Sequence, residues 1–318
     1  MEKFPVGTYI RQRRQDLGLT QEELCKSLNL SVSTLSRVEN GRYNPSLATA
    51  DLLFGKLGLP SGLILQLAPE NEIEIDNLQD EIHNNAIRFR RASMKDRPKI
   101  REGILEDLKK LEEMAGDGNP YIQQFILSMQ VSVGGPEGPF PPKKRLSMLM
   151  KAIKLTVPRF SLDKLLSFRY AKAEVTIIIK IAKTYAGAGD RKKAIDILSQ
   201  LLQYIEKNKR KISRYSGHFC AAAHNCAIYL GLEKQYEQSI ALARKGWETC
   251  IKYGDYQFLA GFLAILGECY YFLGDIPQST DFYHQARTIY RAVRDENNLS
   301  IIEQEMKERL GIAFPDHQ

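Results

Sequence analysis

Apolar residues recur three and four positions apart along nearly the whole chain, with almost no strand-like alternation, so the pattern predicts an all-α fold. The first helix covers residues 6–17, and Gly18 stops it. Thr20 followed by Glu23 makes a capping box, in which hydroxyl and carboxylate each satisfy a first-turn backbone N–H. A second helix starts there with Leu24 and Leu28 on one face. Asn29 tolerates the left-handed backbone of a sharp turn, and Ser31 caps a third helix whose Leu35 and Val38 point inward. Pro45 and Ser46 open a fourth, with Leu47, Ala50, Leu53 and Leu57 inward, and Gly58, Leu59 and Pro60 end it. A fifth helix at 61–67 closes a small unit over residues 1–68, and 68–71 reads as the boundary.

From residue 72 to 318 helix still follows helix, with turns marked by Gly, Pro, Asn and Asp. A pair at 74–93 and 96–114 crowds arginines and lysines around its turn, among them Arg88, Arg90, Arg97 and Arg101. These suit a solvated hairpin or, alternatively, a second contact to phosphates. Four prolines and three glycines over 134–142 predict a loop between paired helices; no lysine-serine pair follows to make it a phosphate cradle. A small residue just after a turn then returns at Ala152, Ala194, Ser239 and Ser279, at intervals of 42, 45 and 40 residues. Such spacing predicts an array of helical hairpins in which the small residue lets two helices approach closely.

The outer face of the third helix carries Val32, Ser33, Ser36, Arg37 and Asn40, small and polar residues ending in a guanidinium. A helix in the DNA major groove needs such a face: Arg37 for a bidentate contact to guanine, Ser33 for several bases, Val32 for a thymine methyl group. Taken alone, the face also suits ordinary solvation. Over its whole length, however, IRQRRQDLGLTQEEL followed by LSVSTLSRVENGRYNPSLATADLLFGKLGL resembles the Cro/C1-type (XRE-like) helix-turn-helix domain. The resemblance implies that Gln21 and Asn40 grip phosphates, that Val32, Ser33 and Arg37 read bases, and that Arg42 touches the DNA backbone. It also implies a structural ion pair between Glu39 and Arg14.

Composition changes this picture little. A chain of 318 residues, 43% of them apolar, suffices for a small unit and an extended one, and a net charge of +7 with a pI near 9.0 suits a polyanionic partner. Cys25, Cys220, Cys226, Cys250 and Cys269 form no CxxC pair and leave an odd thiol, which together with the absence of a leader or a long apolar run predicts a cytoplasmic protein. His224 near Cys220 and Cys226 does not share one helix face with both, so no metal site is expected. No cofactor is implied, and without GxSxG, HExxH or GxxxxGKS no catalytic residues present themselves, so an enzyme is not expected.

Tyr185, Gly189, Asp190, Ala194 and Leu198, and again Tyr270, Gly274, Asp275 and Tyr283, resemble the tetratricopeptide repeat, lengthened beyond its usual period of ~34 residues. A Cro/C1-type domain followed by such hairpins resembles the peptide-pheromone-responsive regulators of bacteria, of the Rgg, PlcR and PrgX kind. That resemblance implies a homodimer on inverted-repeat double-stranded DNA, whose repeats hold a short signalling peptide by inward polar side chains. The matching inner-helix positions over 174–185, 219–230 and 259–271 hold Lys183, His224, Asn225, Glu268 and Tyr271, while Lys180 stands where an asparagine is expected. Apolar neighbours such as Ile179 and Leu263 suggest a mostly apolar peptide. Phe272, Phe282, Tyr283, Ile289, Ile301 and Ile302 mark the expected dimer surface. Two other readings stay open: a repressor without ligand whose repeats serve dimerisation, and a scaffold that binds another protein.

Overall fold

The computed structural model describes residues 5–26, 28, 30–43, 47–60, 70–115, 119–135, 138–208 and 215–314. Its described residues are helical, apart from turns, two short 3-10 segments and one isolated bridge between Gly135 and Gly138. The chain divides into two compact units, residues 1–80 and 81–318. The fifth helix expected at 61–67 and the turn at Asn29 lie outside the described residues, as do Pro45 and Ser46. Where a boundary was expected, helix Glu70–Arg91 already begins.

In the first unit α1 (Pro5–Asp16), α2 (Gln21–Lys26), α3 (Val32–Glu39) and α4 (Leu47–Lys56) surround a core built on Ile10, Leu24, Leu35, Leu53 and Phe54. The capping box forms as read: the Thr20 N–H donates to Glu23 at 2.7 Å and the Glu23 N–H to the Thr20 hydroxyl at 3.1 Å. Ser31 accepts the Thr34 N–H at 3.1 Å and so fixes where α3 starts. Gly7 is needed for contact between α1 and α3, because a Cβ there would lie 1.9 Å from the Val38 carbonyl oxygen.

The second unit continues from the rest of α5 (Glu70–Arg91) through α6 (Arg97–Ala115), α7 (Pro120–Val133) and α8 (Pro142–Thr156). Then come the paired helices α9 (Lys172–Gly187) with α10 (Arg191–Lys207), α11 (Tyr215–Leu232) with α12 (Tyr236–Tyr253), and α13 (Leu259–Phe272) with α14 (Ile276–Ala292). The last helix is α15 (Glu296–Leu310). The loop after α7 is shorter than expected, since Pro142 already belongs to α8, where a proline at the first position loses no helical hydrogen bond.

The repeated small residues sit at the helix crossings. Ala152, Ala194, Ser239 and Ser279 are fully buried, and the two serines donate back to the preceding helix, Ser239 to the Ala227 carbonyl at 2.7 Å and Ser279 to the Gly267 carbonyl at 2.8 Å. The close approach also works from the other side: a Cβ on Gly246 would fall 2.2 Å from the Phe262 ring. Phe282, Tyr283 and Ile302 are buried within this chain, because the same face of α14 and α15 that looked like a dimer surface packs the final hairpin. Phe272 and Ile301 remain exposed.

Candidate nucleic-acid interface and ligand cleft

Helix α3 has two distinct faces. Leu35, Val38 and Glu39 are buried, while Val32, Ser33, Arg37 and Asn40 are exposed and Ser36 is half-buried. Glu39 is fixed from two other helices: Arg14 donates to both its oxygens, at 2.6 and 2.9 Å, and the Gln21 amide donates at 2.7 Å. The hydrogen bond to Glu39 is the first cause that raises the pKa of Arg14, so the guanidinium stays charged. Gln21 thus spends one N–H inside the domain and keeps the other, with its carbonyl, for an outside partner.

The outer side chains are organised among themselves. Ser31 and Ser33 hydroxyls lie 2.9 Å apart, and the Asn40 amide donates to the Ser36 carbonyl at 2.7 Å. After Asn40 the chain closes on Gly41, with a φ of 66°, and the Arg42 N–H returns to the Arg37 carbonyl at 2.8 Å. That turn brings Tyr43 beside the exposed face of α3, with the Arg37 guanidinium 5.3 Å from its ring centre. No periodicity singles out Tyr43, which follows the helix in a turn. Exposed polar and basic groups on a face whose reverse is locked into a core can contact base edges and phosphates without rearrangement.

The second unit contains a cleft of about 630 Å³, within the usual range for ligand sites. Lys183 and Asn225 line it as expected, along with Lys180, whose ammonium donates to the Ser128 carbonyl and hydroxyl, each at 2.7 Å. Asn225 gives one N–H to the Ala221 carbonyl at 2.7 Å and keeps its own carbonyl oxygen available. Lys180 is pushed down to about 7, first by burial and then by Arg90 and Lys183. Lys183 is lowered for the same reasons, with Arg90 and Arg145 as its charged neighbours.

The other three expected ligand residues do not line this cleft. The His224 imidazole packs between Phe258 and Phe262, at ring distances of 5.4 and 5.5 Å, where burial holds it neutral and down to about 4; Gly261 leaves it room. Glu268 accepts the Arg309 guanidinium at 2.7 Å, and that guanidinium lies 6.0 Å from the Tyr271 ring. Both are tied to α15, which the pairwise repeat pattern did not place. Cys220 faces Cys250 at 3.6 Å and Cys226 faces Ser199, so the thiols flanking His224 diverge from it.

Cations from outside the expected inner-helix positions join the cleft instead. Arg145 follows two lysines at the start of α8, Lys172 opens α9, and Arg90 comes from the basic hairpin. Other members of that hairpin are spent internally: Arg97 donates to Asn297 at 2.8 Å and Arg101 to the Val133 carbonyl at 2.9 Å. Among the described residues, no helix is long and apolar enough to cross a membrane.

Residues 10–64 match the family described as helix-turn-helix. The immunity repressor protein of Bacillus phage phi105 is 32% identical over 127 residues, 39% of this chain and 78% of that protein. The fold is similar to that of Bacillus thuringiensis PlcR, solved in complex with the peptide PapR7 and DNA, with a TM-score of 0.69 at 21% identity over 94% of this chain and 99% of that one. It is also similar to the SHP pheromone receptor Rgg2 of Streptococcus dysgalactiae, with a TM-score of 0.56 at 15% identity over 95% of this chain and 99% of that one.

Proposed function

The chain belongs to the helix-turn-helix family of DNA-binding transcriptional regulators, and from that premise we propose that α3 reads its operator and that a short peptide in the second unit's cleft adjusts the affinity. In this reading Val32, Ser33, Ser36 and Arg37 meet base edges, while Gln21, Asn40 and Arg42 hold phosphates. The observation that carries it is the two-faced α3, exposed and polar outside and fixed through Glu39 to Arg14 and Gln21 inside. A single such helix spans too few base pairs for useful specificity, so the active form is a cytoplasmic homodimer on inverted half-sites with centres about 34 Å or a multiple apart. Phe272, Leu273, Ile276, Val293 and Ile301 remain exposed near the C-terminal end to serve that dimer.

The cleft supports the peptide half of the proposal. An extended peptide carries unpaired backbone groups, and the available carbonyl of Asn225 and the donors of Lys180 and Lys183 are placed to meet them. Likeness in fold to PlcR, whose structure holds peptide and DNA together, points the same way. Selection from a random DNA pool tests the DNA half: the parent should enrich an inverted repeat, and enrichment of no sequence would remove it. Light scattering tests the assembly, with a micromolar monomer in the presence of operator counting against the dimer. Peptide-independent operator binding would leave the ligand-free repressor as the better account.

A further inference from the structure

The cleft is lined by Arg90, Arg145, Lys172, Lys180 and Lys183, with His83 and His218, against the carboxylate of Asp255. Among the described residues, the ion pairs of this unit all lie elsewhere, so none of the five lysines and arginines has a carboxylate in contact. Asp295, which attracts Arg90 from a distance, is engaged as the N-cap of α15. Arg145 Nε is buried without a hydrogen-bond partner, and two of the three donors of Lys180 go to Ser128, leaving one. Like charges gathered in a recess repel and lose solvation, an arrangement that is relieved when an anion enters. Val131, Ile179, Ala221 and Phe258 provide apolar wall between the cations.

We propose that the cleft's ligand is an acidic peptide, with more than one side-chain carboxylate seated among Arg90, Arg145, Lys180 and Lys183, in place of the mostly apolar peptide that the inner helices suggested. The proposal rests on reading the cleft as a peptide site. Arginine's planar fork matches a carboxylate in two bonds, and Asn225 remains free to hold the backbone beside it. The lowered proton affinity of Lys180 and Lys183 agrees, since a carboxylate beside them would favour their charged forms.

The test incubates the purified full-length protein with three pools of random heptapeptides and identifies what it retains by mass spectrometry. One amidated pool contains Asp and Glu, a second amidated pool has Asn and Gln in their place, and a third repeats the second with a free C-terminus. The expected result is retention of the first pool about tenfold or more above the second, with acidic residues enriched at more than one position. Lys183→Gln, with circular dichroism to check that the fold is intact, should lose most of that preference, and Arg145→Gln provides a second variant. Equal retention of the two amidated pools overturns the acidic ligand and leaves the peptide site standing. Retention of only the third pool also overturns it, by assigning the charge to a chain terminus. Retention of none removes the peptide site itself.

Discussion

Arg14 holds Glu39 by two hydrogen bonds, at 2.6 and 2.9 Å, with the guanidinium on α1 and the carboxylate on the inner side of α3. Both side chains are nearly buried, at 10% and 1% exposure, so neither is easily left alone. Glu39→Ala strands the Arg14 charge and should lower the stability of the first unit by about 3 kcal/mol, the size typical of breaking a buried pair. Glu39→Gln, which keeps acceptor and shape, should lose less. Urea unfolding of the full chain decides it; an unchanged midpoint for Glu39→Ala would mean that the pair contributes as little as a surface ion pair.

Arg37 and Arg42 are both exposed, but Arg37 projects from α3 and Arg42 follows the turn at Gly41. Arg37→Ala should therefore weaken operator binding by roughly 1–3 kcal/mol and relax preference at one base pair per half-site. Arg42→Ala should weaken all sequences alike and flatten the salt dependence. Binding-site selection with each variant separates them, and an unchanged preference for Arg37→Ala would remove it from base reading.

The turn before α12 departs from its siblings. Gly189 and Gly274 adopt positive φ before α10 and α14, and Asp190 and Asp275 cap those helices, whereas Lys234 takes a φ of 61° and Gln235 makes no side-chain cap. Lys234→Gly removes left-handed strain of about 1 kcal/mol, partly offset by glycine's freedom when unfolded, and Gln235→Asp adds a cap worth about 1 kcal/mol. The double variant should raise the denaturation midpoint of the second unit, and a lower midpoint would show that the lysine conformation is not strained.

What the sequence disclosed, and what it hid, follows from the range of the interactions. Capping boxes, helix faces and the small residue of each repeat are set by neighbours within a turn or two, so Thr20, Ser31, Leu35, Ser239 and Ser279 were legible. The Arg14 to Glu39 pair is long-range, and only family resemblance made it visible. The cleft was only partly legible: Lys183 and Asn225 lie on inner helix faces that repeat logic identifies, but Arg90 and Arg145 reach it from helices outside those pairs, and Lys172 from the first residue of α9, ahead of the expected inner stretch. Glu268 and Tyr271 went astray because Arg309 arrives from α15 and engages them.

Lys180 gives a pH signature. Burial, then Arg90 and Lys183, push it down to about 7, against about 10.4 when unfolded. Between those values the unfolded chain binds a proton that the folded chain does not, so this residue makes stability rise with pH, by at most about 1.4 kcal/mol per unit. Its penalty is complete at and below pH 7. Lys180→Met should therefore stabilise most at neutral pH, with the gain shrinking toward pH 10. Urea unfolding of both proteins across that window checks it, and a difference that does not vary with pH would place the ammonium in solvent.

The central claim is that the cleft's occupant controls the grip on DNA. The most direct measurement is fluorescence anisotropy of the full-length protein on its selected operator, with and without a saturating amount of a peptide retained from the acidic pool. The account predicts a change in operator Kd of about 5- to 150-fold, equivalent to roughly 1–3 kcal/mol of coupling, and the same factor when peptide affinity is measured with and without operator. An operator Kd that stays unchanged while the peptide is bound would contradict it.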